Sequence, residues 1–478
     1  MTYIKLFISL LLLLVVQDCF SQELNSADSA SLNILPAAGK LHVSALNISG
    51  NRRTKAYIIL REIQFKAGDS LSTVDLANTL EQARRQVYNL NLFSEVTLVP
   101  VMLSANDVNV AITVREKWYI YPTPQFQLAD RNFNEWWQRY NADFNRVIYG
   151  LKFSHYNFSG RGDQLRIFLL NGYARNISFS YNTPASKKSF IKGFRITAGY
   201  TQNREISFKT SDSNSLVQFK KPGFVRTSLY GSLSYQARQG FFKRHFYTIS
   251  YNYININDSI IDPKYNSNYF GTNKTSIGVL DLVYSFSYSN TDNNNYPLDG
   301  TVYGFSIQKR GLGFKGGVNM LSLWGVYSKY LPHKKTFYSS IQLYSKIILP
   351  FTQAYINQRS IGYADFYLRG LEKYVVDGVA AAVAKYTLKK KLFAFDIKVP
   401  FHIRFVPKVP FAFFAKTYGD AGYSYIKKQF DTKLNNRFLY TYGFGLDILS
   451  LYDSNVSFEY SFNQLGENGL FLHARIGL

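Results

Sequence analysis

Cysteine is nearly absent from this sequence, with a single Cys19 in 478 residues, so no disulfide framework holds the fold. Methionine and tryptophan are scarce, at 3 and 4 residues. The 6 histidines (His42, His155, His245, His333, His402 and His473) have no spacing that suggests a metal site. Acidic residues are outnumbered, 31 against 55 Lys+Arg, for a net charge of +24. That excess is spread too diffusely for a nucleic-acid site and better suits an anionic glycolipid surface or a cationic lumen. After residue 20 no run approaches the ~20 uninterrupted apolar residues of a bilayer-spanning helix, which excludes a multi-span helical protein. What the chain does have is 38 Tyr and 39 Phe within a 46% hydrophobic composition. Disorder is thereby excluded.

Lys5 precedes a run from Leu6 to Val16 that is apolar except for Ser9. This is the length of a secretory h-region and implies a signal peptide over 1–21, cut after Ser21 with Cys19 at the −3 place. The competing reading is an acylated Cys19, for which Gln17 and Asp18 are poor preceding residues. Either way the chain is exported. Residues 22–40 read as a linker.

A small α+β module follows over 41–118. Residues 41–49 read as a strand ending at Gly50-Asn51. Thr54 is the expected N-cap of a first helix through Phe65, with Ala56, Ile59, Leu60 and Ile63 at helical spacing. A second helix is expected from Ser72 to Tyr88, with Val74, Leu76, Leu80, Ala83 and Val87 on its apolar face. Strands at 94–103 and 107–118 complete a three-stranded sheet whose exposed edge, at Val96, Leu98 and Val99, can bind an extended client peptide by strand addition.

From 119 to the C-terminus the pattern changes to runs of about ten residues that alternate apolar and polar. Tyr303, Phe305 and Ile307 alternate with Gly304, Ser306 and Gln308; Val456, Phe458, Tyr460 and Phe462 alternate with Ser457, Glu459, Ser461 and Asn463. Such runs are the signature of a transmembrane barrel, apolar toward lipid and polar toward the lumen. Only a closed barrel satisfies strand backbone groups in hydrocarbon. The aromatic excess supplies the two interfacial girdles. Sixteen antiparallel strands are expected, at 120–131, 146–157, 163–173, 176–183, 190–202, 224–237, 243–255, 277–290, 300–309, 319–331, 335–349, 378–391, 409–423, 438–450, 454–462 and 469–478. Most long connectors follow odd-numbered strands, which places both chain ends on the periplasmic side.

Several segments resemble a known family. Ile48-Ser49-Gly50-Asn51, Gly68-Asp69, Asn91-Leu92-Phe93 and Val114-Arg115-Glu116 resemble a POTRA domain. Tyr367-Leu368-Arg369-Gly370-Leu371, in the long connector 350–377, resembles the sixth-loop motif of the BamA/TamA superfamily of outer-membrane assembly and translocation barrels (the bacterial surface antigen barrel). Tyr156 to Asp163, Pro297-Leu298-Asp299-Gly300 and Gly419-Asp420-Ala421-Gly422 agree and come in the family's order. The resemblance implies that Arg369, with Gly370 and Leu371, folds back into the lumen and meets a wall carboxylate, for which Asp420 is the candidate. Leu371 stands where the family usually has an aromatic, Lys385 to Lys389 lack its acidic residue, and the chain ends in Leu478 rather than an aromatic.

The expected function is a non-enzymatic outer-membrane barrel that inserts or translocates client proteins, with its N-terminal domain in the periplasm. The expected partners are an unfolded outer-membrane or secreted client, outer-membrane lipid and periplasmic accessory proteins, with no nucleic acid and no cofactor. The gate is expected between the first and last strands, at Phe126, Leu128, Leu472, Ala474 and Ile476. A passive porin or surface adhesin, and a lipid-moving relative, are the alternatives. Arg161-Gly162-Asp163 reads as turn chemistry rather than an adhesion motif. No Ser-His pair lies on one face, so no catalytic residues are expected.

Overall fold

The computed structural model describes residues 39–128, 141, 143–184, 192–311, 318–363, 366–399, 408–427 and 432–475. The expected signal peptide, most of the expected linker and the expected gate residue Ile476 lie outside them.

The N-terminal domain runs β1 (Lys40–Ser49), α1 (Ala56–Leu60), β2 (Ser70–Ser72), α2 (Leu76–Tyr88), β3 (Phe93–Met102) and β4 (Asp107–Glu116). Its sheet has the order β2-β1-β4-β3, with β1 parallel to β4 and β3 on an edge. Leu41, Val43, Ile58, Ile59, Leu76, Ala83, Val87, Val110 and Ile112 form the core between helices and sheet. Three local expectations fail. Ser70–Ser72 continue the sheet, so α2 begins at Leu76 and Val74 is left exposed. The first helix is a five-residue piece. Lys55, not Thr54, occupies its N-cap, because the Thr54 hydroxyl is engaged by Tyr119 (3.2 Å) and Asn157 (2.9 Å).

The sixteen expected strands all form, and they make one antiparallel sheet. They are β5 (Ile120–Leu128), β6 (Val147–Tyr156), β7 (Gln164–Gly172), β8 (Ala174–Thr183), β9 (Lys192–Asn203), β12 (Arg226–Gln239), β13 (Lys243–Ile256), β14 (Ser276–Thr291), β15 (Gly300–Arg310), β16 (Met320–Lys334), β17 (Phe337–Leu349), β20 (Ala380–Lys398), β21 (Lys408–Tyr425), β22 (Phe438–Leu449), β23 (Asn455–Asn463) and β24 (Asn468–Arg475). Two short hairpins, β10–β11 (Glu205–Thr210 with Leu216–Lys220) and β18–β19 (Arg359–Ile361 with Val376–Asp377), lie in the long connectors.

Sidedness follows the alternation. Leu169, Phe179, Ile196, Leu233, Ile249, Phe305, Ile341 and Leu472 are exposed, whereas Asp281, Ser322, Lys346, Lys385, Lys416, Asp420, Asp447 and Glu459 are buried. In water each exposed Leu or Phe forfeits about 1.5–3 kcal/mol of burial, and whole rows of them are tolerated only against lipid. On the outward face Phe393, Phe395, Phe411 and Phe413 stack where β20 and β21 run past their neighbours. That cluster fits an interfacial girdle.

The small domain is fastened to four of the barrel's tight turns. Arg53 donates to the carbonyls of Asn157 (3.2 Å) and Phe158 (2.9 Å) after β6. Arg238 at the end of β12 holds Glu62 through both oxygens, at 2.7 and 2.6 Å. Arg85 reaches Asp299 before β15 (2.9 Å), and Tyr88 donates to Asp453 before β23 (2.9 Å). The domain therefore lies across the mouth on the turn side. Asp163 is buried in the first turn, accepting from Ser159 and Tyr181 (both 2.8 Å), so the Arg-Gly-Asp segment is turn chemistry.

Candidate lid-loop and gate site

The connector between β17 and β20 does not stay outside. Leu368 and Leu371 are buried and pack with Ile361, Phe366, Val376, Val383, Leu434 and Leu439. Leu371 thus fills its place in this cluster as an aliphatic residue where the family's usual aromatic would stand. Between these two leucines the loop delivers Arg369 to the lumenal wall. Arg369 Nε and Nη2 reach the two oxygens of Asp420 on β21 at 2.9 and 2.5 Å, and the Arg369 backbone N–H donates to Asp420 Oδ2 at 3.0 Å. Nη1 donates to Thr387 (2.9 Å) on β20, and the guanidinium lies 4.0 Å from the centre of the Tyr418 ring. The planar fork is thus matched oxygen for oxygen, the geometry that makes Arg the residue for a desolvated carboxylate.

Gly370 makes the turn possible. Its φ is +88°, and a Cβ there would sit 2.6 Å from the Ser461 Cβ on β23. Its carbonyl accepts from Asn463 (3.0 Å) and its N–H donates to Glu372 (2.7 Å).

Below this pair lies a second polar layer that sequence reading missed. Lys416 bridges Asp447 and Glu459, each at 2.5 Å, and Lys389 reaches Asp447 at 3.2 Å. Tyr296, from the turn between β14 and β15, enters the lumen and donates to Asp447 at 2.7 Å. Lys385 and Lys389 occupy the stretch where the family's acidic residue is missing, and both sit over aromatic rings, Tyr367 and Tyr296, at 3.9 and 3.8 Å. The available signal was the lumenal parity of Lys389, Lys416, Asp447 and Glu459, which marks a shared face but not which strands meet. His473 on β24 lies beside Glu459 and the loop's Glu372, each at 3.3 Å. A loop and two strands supply these three, so no sequence spacing betrays them.

The gate residues lie at the ends of the sheet order, Phe126 and Leu128 on β5 and Leu472 and Ala474 on β24. The two ends are near one another, because the Trp118 backbone N–H, just before β5, donates to Tyr452 in the turn before β23 at 3.3 Å. Among the described residues no ladder joins β5 to β24. Within β5 the geometry of that edge is set by two prolines. Tyr156 N–H donates to Tyr119 O, so odd positions of β5 face β6 and even ones face the other edge. Pro122 and Pro124 are even, and the free edge therefore lacks two donors in a row.

The client-edge residues are not equivalent. Val96 is buried against the helices and Leu98 is partly buried, so neither side chain is available to a client; Val99 is exposed, and the unpaired edge belongs to the backbone of β3.

Fold and site together define the class: a POTRA domain joined to a sixteen-stranded β-barrel with an infolded lid loop. Residues 41–117 match the POTRA family, described as surface antigen variable number repeat. Among curated proteins, the outer membrane protein assembly factor BamA of Neorickettsia risticii is 25% identical over 286 residues, 59% of this chain and 34% of that protein. The chain thus spans about a third of that relative's length, and its likeness to the BamA/TamA type is the POTRA match over 41–117 together with that 25% identity. Among solved structures, BamA from Haemophilus ducreyi lacking POTRA domains 1–3 aligns over 91% of this chain and 83% of its own, at 14% identity and a TM-score of 0.49. CdiB from Escherichia coli aligns over 95% and 91%, at 11% identity and a TM-score of 0.46.

Proposed function

We propose that this chain is a non-enzymatic outer-membrane insertase or translocase whose seam between β5 and β24 is the gate. Its POTRA domain, on the periplasmic side, receives an unfolded client by strand addition to the backbone edge of β3. The seam then admits the client to lipid or passes it across. The client's own folding and burial in lipid supply the drive.

One observation carries the reading: the lid loop is bolted to β21 at Arg369–Asp420, while the edge of β5, at the far end of the sheet order, lacks backbone donors at Pro122 and Pro124. A rigid C-terminal wall beside a weakly paired seam is what lateral opening requires. A passive pore has no use for a seam of that kind.

The test is a pair of engineered cysteines, one on β5 at Phe126 and one on β24 at Leu472 or Ala474, in protein lacking Cys19. Oxidation should abolish client assembly and reduction should restore it. Full activity with the disulfide formed would refute the gate. Conductance that is independent of client, and unaffected by deleting 41–116, would favour a passive porin.

A further inference from the structure

We infer that Glu372, Glu459 and His473 form a binding site for a divalent transition metal of the zinc type, tying the lid loop to the last strand. One carboxylate oxygen from each glutamate and the His473 ring nitrogen lie within 4.8 Å of one another. All three atoms, Glu372 Oε1, Glu459 Oε2 and His473 Nε2, are buried and lack a hydrogen-bond partner. Glu459 itself is 3% exposed. Two carboxylate oxygens aimed at one point repel each other unless a cation, either a protonated His473 or a metal ion, sits between them.

The distances favour a metal over a direct pair. His473 Nε2 stands 3.3 Å from each oxygen. A charge-assisted N–H···O bond is shorter, about 2.7–2.9 Å. Tetrahedral ligands on bonds near 2.1 Å are about 3.4 Å apart, close to the two nitrogen–oxygen distances here, and the three atoms together stay within 4.8 Å.

The second oxygen of each carboxylate is already taken. Gly370 N–H holds Glu372 Oε2 at 2.7 Å, and Lys416 holds Glu459 Oε1 at 2.5 Å. Tyr367 stacks on the His473 ring at 5.8 Å. The remaining oxygens and the ring nitrogen are thereby oriented on the common point, as outer-shell partners do in metal sites. The His473 side chain as a whole is one-third exposed, so the site lies at the edge of the buried layer. One imidazole with two carboxylates is a donor set suited to zinc.

The experiment uses the full chain in nanodiscs, stripped with EDTA and dialysed against zinc chloride. One zinc per chain is expected, with affinity about tenfold or more weaker in Glu372→Gln and in His473→Gln. X-ray absorption at the zinc edge of the unmutated protein should report a single imidazole among oxygen ligands. No bound zinc, unchanged affinity in both variants, or a shell without an imidazole would overturn the site. The wild-type readouts stand even if a variant fails to fold.

Discussion

Both oxygens of Arg369's buried partner, Asp420, point at its guanidinium. Arg369→Ala leaves Asp420 buried and uncompensated, a loss on the order of 3–5 kcal/mol. The temperature at which the folded, heat-modifiable band converts to the unfolded one should fall, and Arg369→Lys should recover little because an ammonium cannot fork. An unchanged transition in Arg369→Ala would contradict this. Lys117, in the linker between the domains, offers a pH test. Burial lowers its ammonium from the usual 10.5 to about 8, with Asp453 acting in the opposite direction. The free chain therefore holds more protons than the docked one between pH 8 and 10.5. Docking of the small domain is penalised fully below pH 8 and strengthens as pH climbs through that window. Lys117→Met should flatten this dependence, as read by hydrogen exchange in β1 and β4.

At the scale of elements, the prolines of β5 make a prediction opposite in sign. Replacing Pro122 and Pro124 with Val returns two donors to the seam, each worth about 0.5–1.5 kcal/mol if β24 accepts them. The seam should then open less often and client assembly should slow, and an unaltered rate would show that the seam does not limit it. The strands themselves were legible because a period of two with one lipid face is a strong signal, and even the extra length of β20 only extends it. Shorter elements were not. Ser70–Ser72 pair with β1 through backbone alone, and β10–β11 and β18–β19 are too short for alternation to stand out. Thr54 has good capping chemistry, but its hydroxyl is spent on Tyr119 and Asn157, a choice that only tertiary packing reveals. Arg369 and Asp420 were found through motif order. The Lys416–Asp447–Glu459 layer was not, since parity tells which face a residue takes and not which neighbours it meets.

For the whole molecule, everything depends on which side of the sheet is wet. Ordinary soluble sheets bury apolar rows and expose charge; this one exposes Leu233, Phe305 and Leu472 and buries Lys416, Asp420 and Glu459. The small domain is pinned at one mouth by Glu62, Arg85 and Tyr88, and the lid loop lines the wall within through Arg369. Breaking the most buried of these contacts with Arg238→Gln leaves Glu62 only its partner Arg61 (3.0 Å) within the domain and should loosen the docking, seen as faster hydrogen exchange in the turn before β13. The decisive measurement places single spin labels at Leu233 and Phe305, and at Gln308 on the opposite face, in protein lacking Cys19 and embedded in bilayers. Labels at 233 and 305 should relax with oxygen and ignore a water-soluble nickel chelate, while the label at 308 should do the reverse. Equal access at all three, or the opposite preference, would contradict a barrel with lipid outside and water within.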